Sequence, residues 1–204
     1  MANKSGRPAK GSGQNSKEKI INTTISIIRG KGADAVTVRD VCTEAGLSIG
    51  TFYHYFRDKD DLMMYFLRET SFDLFELKTP FSDIAGRISE LYMHLIRKYM
   101  ELGLDFMKSF YSTNNQSLSA YMGEVNGTFA PSTVMARSET EMNAALNAGY
   151  LMNDVDIHLI CTDICTIVKG CVFEWCLNNG EMDIEAALHR IIACYISRYI
   201  QKPD

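Results

Sequence analysis

Apolar residues recur at helical spacing along most of this chain, and the breaks between the stripes fall on glycines and capping residues. Ile20, Ile21, Ile25, Ile27 and Ile28 form a first stripe, with Ser16 placed as its N-cap and Gly30 and Gly32 as its end. Thr37 is placed to cap a second helix, about Val38–Glu44, turning Val38, Val41, Cys42 and Ala45 inward. Asp40 is the acid of its first turn, and Gly46 supplies a left-handed stop. Ser48 then caps a short third helix over Ile49–Tyr55. Asp58 caps a fourth that starts at Lys59, carries Leu62, Tyr65, Phe66 and Leu67 inward and runs to about Leu77, where Lys78–Thr79–Pro80 ends it.

The same reading covers the remainder. Ser82 or Asp83 opens a helix striped by Ile84, Ile88, Leu91, Tyr92, Leu95, Ile96 and Tyr99. Gly103 breaks the chain before Leu104–Tyr111, and 112–130 is polar with no assignable pattern. Pro131 suits the start of a helix over Ser132–Ala148. Asp154 opens a long helix to about Asn178, striped by Leu159, Ile160, Ile164, Ile167, Val168, Cys171, Val172 and Trp175. After Asn179–Gly180, Asp183 caps a last helix striped by Ile184, Leu188, Ile191, Ile192, Tyr195 and Tyr199. No segment alternates cleanly as a strand, so the expected fold is all-α.

Two short helices joined by a tight glycine turn make a helix-turn-helix, whose second helix enters the DNA major groove N-terminus first. That explains the density of hydrogen-bonding side chains in 46-GLSIGTFYHYFRDKDDL-62. Ser48, Ile49, Gly50, Thr51, Tyr53, His54 and Tyr55 face outward, while Phe52 and Phe56, at i and i+4, face the core.

Charge sharpens the picture. The chain has 204 residues, 46% hydrophobic and 23% charged, with a net charge of −4. Residues 1–62 carry ten Lys/Arg against seven Asp/Glu, a net +3, which leaves −7 on residues 63–204. A basic head on an acidic body implies that the head alone meets a polyanion. Lys4, Arg7 and Lys10 lie in a Gly/Ser/Asn-rich tail over 1–15 that is too polar to order itself. It either reaches a neighbouring minor groove or stays solvated. The N-terminus has no apolar signal core and no apolar run nears the ~20 residues of a membrane helix, so a cytoplasmic location is expected.

Five of the six cysteines sit late, in apolar helical sequence, and read as small buried hydrophobes. His158, Cys161 and Cys165 do share one helix face, which leaves a metal or redox reading open, although zinc would need another ligand. The four histidines (54, 94, 158, 189) are scattered, and no nucleophile–base pair stands out. An enzyme is therefore not expected, nor a cofactor.

The segment 45-AGLSIGTFYHYFRDKDDL-62, with 36-VTVRDVCTEAG-46 before it, closely resembles the DNA-binding signature of the TetR/AcrR family of bacterial transcriptional regulators. The likeness is specific over about 16–64 and architectural beyond. It implies a homeodomain-like three-helix head over 16–62 and a helical ligand-binding and dimerisation body over 63–204. Thr37, Tyr53, Tyr55 and Lys59 would hold phosphates. Arg39 and His54 would lie near bases, Arg being the commonest guanine reader, although Arg39 also reads as a solvated helix charge. Ser48, Ile49, Gly50 and Thr51 would line the start of the recognition helix.

In the body, the resemblance implies a pocket for a small, mostly apolar effector among Tyr92, Met100, Phe106, Met107, Phe110, Tyr121, Met135 and Met142, each of which also reads as ordinary core. The last two helices form an αα-hairpin with more apolar face than one edge can cover. It implies a homodimer interface through Ile160, Ile164, Val168, Val172, Trp175, Leu188, Ile191, Ile192 and Tyr195, the alternative being that the hairpin packs within one subunit. Two heads so held would read an inverted repeat with half-sites about 34–36 Å apart. The implied function is a repressor released by its effector. An activator, a ligand-independent DNA-binding protein and an enzyme are the competing readings.

Overall fold

Helix α1 spans Ser12–Lys31 in a computed structural model that describes residues 12–32, 35–68, 71–111 and 126–201. It begins before Ser16, which lies inside the helix, so residues 12–15, expected in the tail, are helical. Its buried face is Ile20, Thr24, Ile27 and Ile28, with Ile21 and Ile25 only half-buried. Thr24 shifts the face away from the isoleucine pattern. Its hydroxyl donates to the Ile20 carbonyl at 2.8 Å, so the polar atom is satisfied inside its own helix.

Helices α2 (Val38–Ala45) and α3 (Ile49–Tyr55) are capped by Thr37 and Ser48 as expected. They pack with α1 around Val41, Cys42, Phe52 and Phe56. Burying a side chain the size of Phe52 is worth ~1.5–3 kcal/mol, so this small core depends on few residues. Helix α4 (Lys59–Arg68) starts at Asp58, whose carboxylate accepts from the Asp61 amide at 2.7 Å.

The expectation that α4 continues to Leu77 fails. Among the described residues the helix spans Lys59–Arg68, and residues 71–83 run as an irregular strap. The backbone of the strap bonds to distant elements as well as within two local turns, where the Phe75 amide donates to the Phe72 carbonyl at 3.3 Å and the Asp83 amide to the Pro80 carbonyl at 3.0 Å. The Phe72 amide donates to the Ser132 carbonyl at 3.0 Å, and the amides of Lys78 and Thr79 donate to the Glu90 carboxylate. Phe72 itself is fully buried.

Helix α5 (Ile84–Met100) is capped by Asp83 and buries its whole expected stripe. Helix α6 (Leu104–Phe110) follows the Gly103 break. Helix α7 (Val134–Asn147) is capped by Thr133, later than Ser132. Helix α8 (Ile157–Leu177) is capped by Asp156, not Asp154. Helix α9 (Ile184–Ile196) is capped by Asp183 and ends in a 3-10 turn, Ser197–Tyr199. Helix α5 packs against α7 and α9, and α8 against α6, α7 and α9. Between α8 and α9, Gly180 takes φ +82°, and a Cβ there would lie 3.1 Å from the Trp175 ring, so the turn closes tightly over that side chain. An isolated antiparallel bridge, Leu151–Ile200, ties the end of α9 to the segment between α7 and α8. Among the described residues there is no strand, and no helix is long and apolar enough to cross a membrane.

The expected dimer-interface residues need correction. Ile160, Ile164, Val168, Val172, Trp175, Leu188 and Ile192 are buried within the single chain, where they form the core that α8 and α9 share with the other helices. Only Ile191 and Tyr195 remain half-buried, and the Tyr195 hydroxyl donates to Asp163 of the same chain at 2.5 Å. The most apolar face of each helix is spent on the subunit's own interior. Outward on α8 stand Leu159, Thr166, Gly170, Phe173 and Leu177, at helical spacing.

Candidate nucleic-acid interface

The turn between α2 and α3 is built from capping bonds. Gly46 takes φ +66°, which lets its amide reach back to the last carbonyls of α2, and the Leu47 amide donates to the Cys42 carbonyl at 2.9 Å. The chain then enters α3 through Ser48, whose Oγ accepts from the Thr51 amide at 3.0 Å. The Ser48 and Thr51 hydroxyls lie 2.8 Å apart. One hydrogen bond between two hydroxyls uses one proton, so the other is available to an outside acceptor. At the start of α2 the Thr37 hydroxyl accepts from the Asp40 amide and donates to the Asp40 carboxylate at 2.7 Å, so its proton is already engaged.

Phe52 and Phe56 anchor α3 from below, their rings 5.7 Å apart, and Tyr53 meets the Phe52 ring edge-on at 5.6 Å. With that side fixed, Ser48, Ile49, Gly50, Tyr53 and His54 are exposed; Ile49 and Tyr53 retain 50% and 56% of their accessible surface. Thr37 and Arg39 are exposed on α2. Thr51, Tyr55 and Lys59 are half-buried, and Tyr55 packs partly against the core. Each residue of the expected set is thus at least partly exposed, with Tyr55 divided between outside and inside.

Sequence reading missed how some cations are used. Lys31 pairs with Glu44 at 2.7 Å across α1 and α2, which raises its pKa, and Lys17 sits 4.1 Å over the Tyr65 ring, joining α1 to α4. Neither pairing is visible from spacing, because each partner lies on another helix. Lys4, Arg7 and Lys10 lie outside the described residues.

Of the expected effector-site residues, Tyr92, Phe106, Met107, Phe110, Met135 and Met142 are buried, Met100 is half-buried, and Tyr121 lies outside the described residues. They sit on α5, α6 and α7. The Tyr92 hydroxyl is enclosed with no hydrogen-bond partner, and burial, then the nearby Cys165 and Cys161 thiols, push its pKa up. Burial also raises the Cys161 thiol to about 12 and the Cys165 thiol to about 11, which makes both poor nucleophiles. His158 Nδ1 lies 2.7 Å from Glu139, and among the described residues no group of three or more His, Cys, Asp or Glu is arranged to hold a metal. A separate open groove of about 620 Å³ between α5 and α9 is lined by Asp83, Glu90, Arg97, Asp183 and Glu185 together with Met93 and Ala186. Its carboxylates are committed: Asp83 and Asp183 cap helices, Glu90 holds the strap amides, and Glu185 pairs with Arg97.

This geometry defines a helix-turn-helix protein: a short probe helix fixed on a three-helix core, carried by an all-helical body. Residues 20–65 match the sequence profile described as "Bacterial regulatory proteins, tetR family". Over 75 residues the chain is 32% identical to the uncharacterized HTH-type transcriptional regulator YerO of Bacillus subtilis, covering 35% of this chain and 25% of that protein. The chain spans about a quarter of the length of the curated relatives it matches. A TetR transcription regulator from Haloarcula marismortui superposes with a TM-score of 0.62 at 18% identity, over 92% of this chain and 100% of that one. Thermus thermophilus FadR, a TetR-family repressor in complex with lauroyl-CoA, superposes with a TM-score of 0.60 at 14% identity, over 92% and 97%. Residues 20–65 thus carry the sequence signature of the tetR family of regulatory proteins, and the described chain has the fold of solved TetR-type structures.

Proposed function

We propose that this chain is a homodimeric repressor that binds an inverted-repeat operator through α2 and α3 and leaves it when a small, mostly apolar effector enters the body. The observation that carries the reading is the two-sidedness of α3, with Phe52 inside and Ile49, Gly50, Tyr53 and His54 outside. Ser48, Thr51, Tyr53, Tyr55 and Lys59 take phosphates in this reading, Thr37 does so once its hydroxyl proton turns from Asp40 to the phosphate, and Arg39 and His54 read base edges. Lauroyl-CoA bound to a relative of the same fold, and the aromatic and methionine-rich interior of α5–α7, support an apolar effector. The outward α8 stripe supports pairing with a second copy, since Leu159, Phe173 and Leu177 are large exposed hydrophobics and a Cβ at Gly170 would meet nothing within 4 Å.

The test is selection of duplexes from a random pool by the full chain, followed by a screen for small molecules that release the selected DNA. The expected result is a two-fold symmetric consensus and at least one releasing compound. Failure to retain any duplex at low ionic strength would overturn the proposal.

A further inference from the structure

The strap at 71–83 joins the DNA-reading elements to the body, and one buried carboxylate holds it at two points. Glu141 on α7 has 8% of its side chain exposed. Its Oε2 accepts from Arg87 Nε and a terminal nitrogen at 3.1 and 2.6 Å, and its Oε1 accepts from Arg137 Nε at 2.9 Å. Each guanidinium passes the grip on. Arg87 donates to the Thr79 carbonyl at 2.6 Å and lies 4.8 Å over the Phe81 ring. Arg137 donates to the carbonyls of Phe72 and Asp73 at 3.1 and 3.2 Å. Ser132, which leads into α7, adds a bond from its hydroxyl to the Asp73 carboxylate at 2.5 Å while held at φ +63°.

A buried charged triad is a poor way to gain stability, because desolvation offsets most of the attraction, whereas it fixes geometry through directional forks. The element that carries it also reaches the interior: Ser138 and Met142, adjacent in sequence to the triad residues, are fully buried. A displacement of α7 therefore moves Glu141, both guanidinium forks and the strap carbonyls together.

We propose that Arg87, Glu141 and Arg137 are positioning residues that set the strap, and with it the pose of α2 and α3 on DNA, according to where α7 lies. The inference rests on the DNA-binding reading above. Its test compares the full-length chain with Arg137→Lys and Glu141→Gln. Lysine keeps the charge opposite Glu141 but lacks the fork that reaches the Phe72 and Asp73 carbonyls, so a change in DNA binding cannot come from altered net charge. Amide hydrogen exchange over 72–80 and affinity for the selected operator are measured, with circular dichroism and sedimentation confirming an intact fold and unchanged assembly.

In Arg137→Lys the strap should exchange at least tenfold faster, α8 and α9 should be unchanged, and operator affinity should fall about tenfold. Glu141→Gln should act in the same direction and more strongly; if it does not fold, Arg137→Lys decides alone. Exchange over 72–80 equal to wild type, or faster exchange with affinity within twofold of wild type, overturns the inference. A wild-type chain that binds no duplex removes the DNA-binding reading itself, and the coupling with it.

Discussion

Tyr92 stands in an environment that does not meet what its type requires. A buried hydroxyl without a partner forfeits its hydration. Tyr92→Phe should therefore stabilise the unliganded chain by about 1 kcal/mol in denaturant titrations. A loss of stability would mean that the hydroxyl is satisfied after all. His94 has the opposite character. It stacks on Phe75 at 4.1 Å and meets Phe72 edge-on at 5.7 Å, holding the strap from the α5 side. Burial first, then Lys98 and Arg97, lower its pKa below the usual 6.5. The unfolded chain then binds the proton more readily than the folded one, so stability is complete above pH 6.5 and declines as pH falls through 6.5 toward the folded value. Denaturation midpoints at pH 7.5 and 5.5 should differ in that direction, and His94→Phe should reduce the difference.

Among the elements, several caps were legible, Ser16 and Asp154 were not the caps they were expected to be, and the strap was not legible at all. Thr37, Ser48, Asp58 and Asp183 bond within three residues of themselves, so a local reading finds them. Phe72, Phe75 and Leu77 continue the apolar spacing of α4, and nothing local reveals that the strap's backbone will pair with Ser132, Arg137 and Glu90. Thr24 defeats the pattern on α1 in the same way, by burying a polar residue whose bond closes inside the helix. The apolar stripes of α8 and α9 were legible as stripes, but sequence does not say which of two apolar surfaces a subunit keeps for itself. The structure assigns the richer one to the core. The outward α8 stripe then makes its own prediction. Phe173→Asp, at a position 46% exposed in the single chain, should leave the fold of the subunit intact and weaken dimerisation at least tenfold in sedimentation equilibrium. A variant that remains dimeric at the same concentration would move the interface elsewhere.

For the whole molecule the governing quantity is charge placed where DNA can use it. The ten cations of residues 1–62 overstate the footprint, since Lys31 is paired with Glu44 and the Lys17 ammonium is drawn onto the Tyr65 ring. If Arg39 contacts a phosphate, Arg39→Ala should lower the slope of log affinity against log salt by about one and weaken binding across sequences. If it reads guanine, the same change should cost ~1–3 kcal/mol at one operator position and leave the slope nearly intact. Binding isotherms at several salt concentrations, with matched and substituted operators, separate the two, and no effect on either would remove Arg39 from the interface.

The closed turn at Gly180 also gives the molecule a built-in reporter. Trp175 is the chain's single tryptophan, and it is nearly enclosed beneath that turn. The DNA-reading helices contain no indole of their own. With excitation selective for the indole, so that the tyrosines of α3 stay silent, a change in emission when duplex is added reports on the surroundings of Trp175 in the α8–α9 hairpin, which makes the unlabelled protein an optical gauge of communication between its two ends.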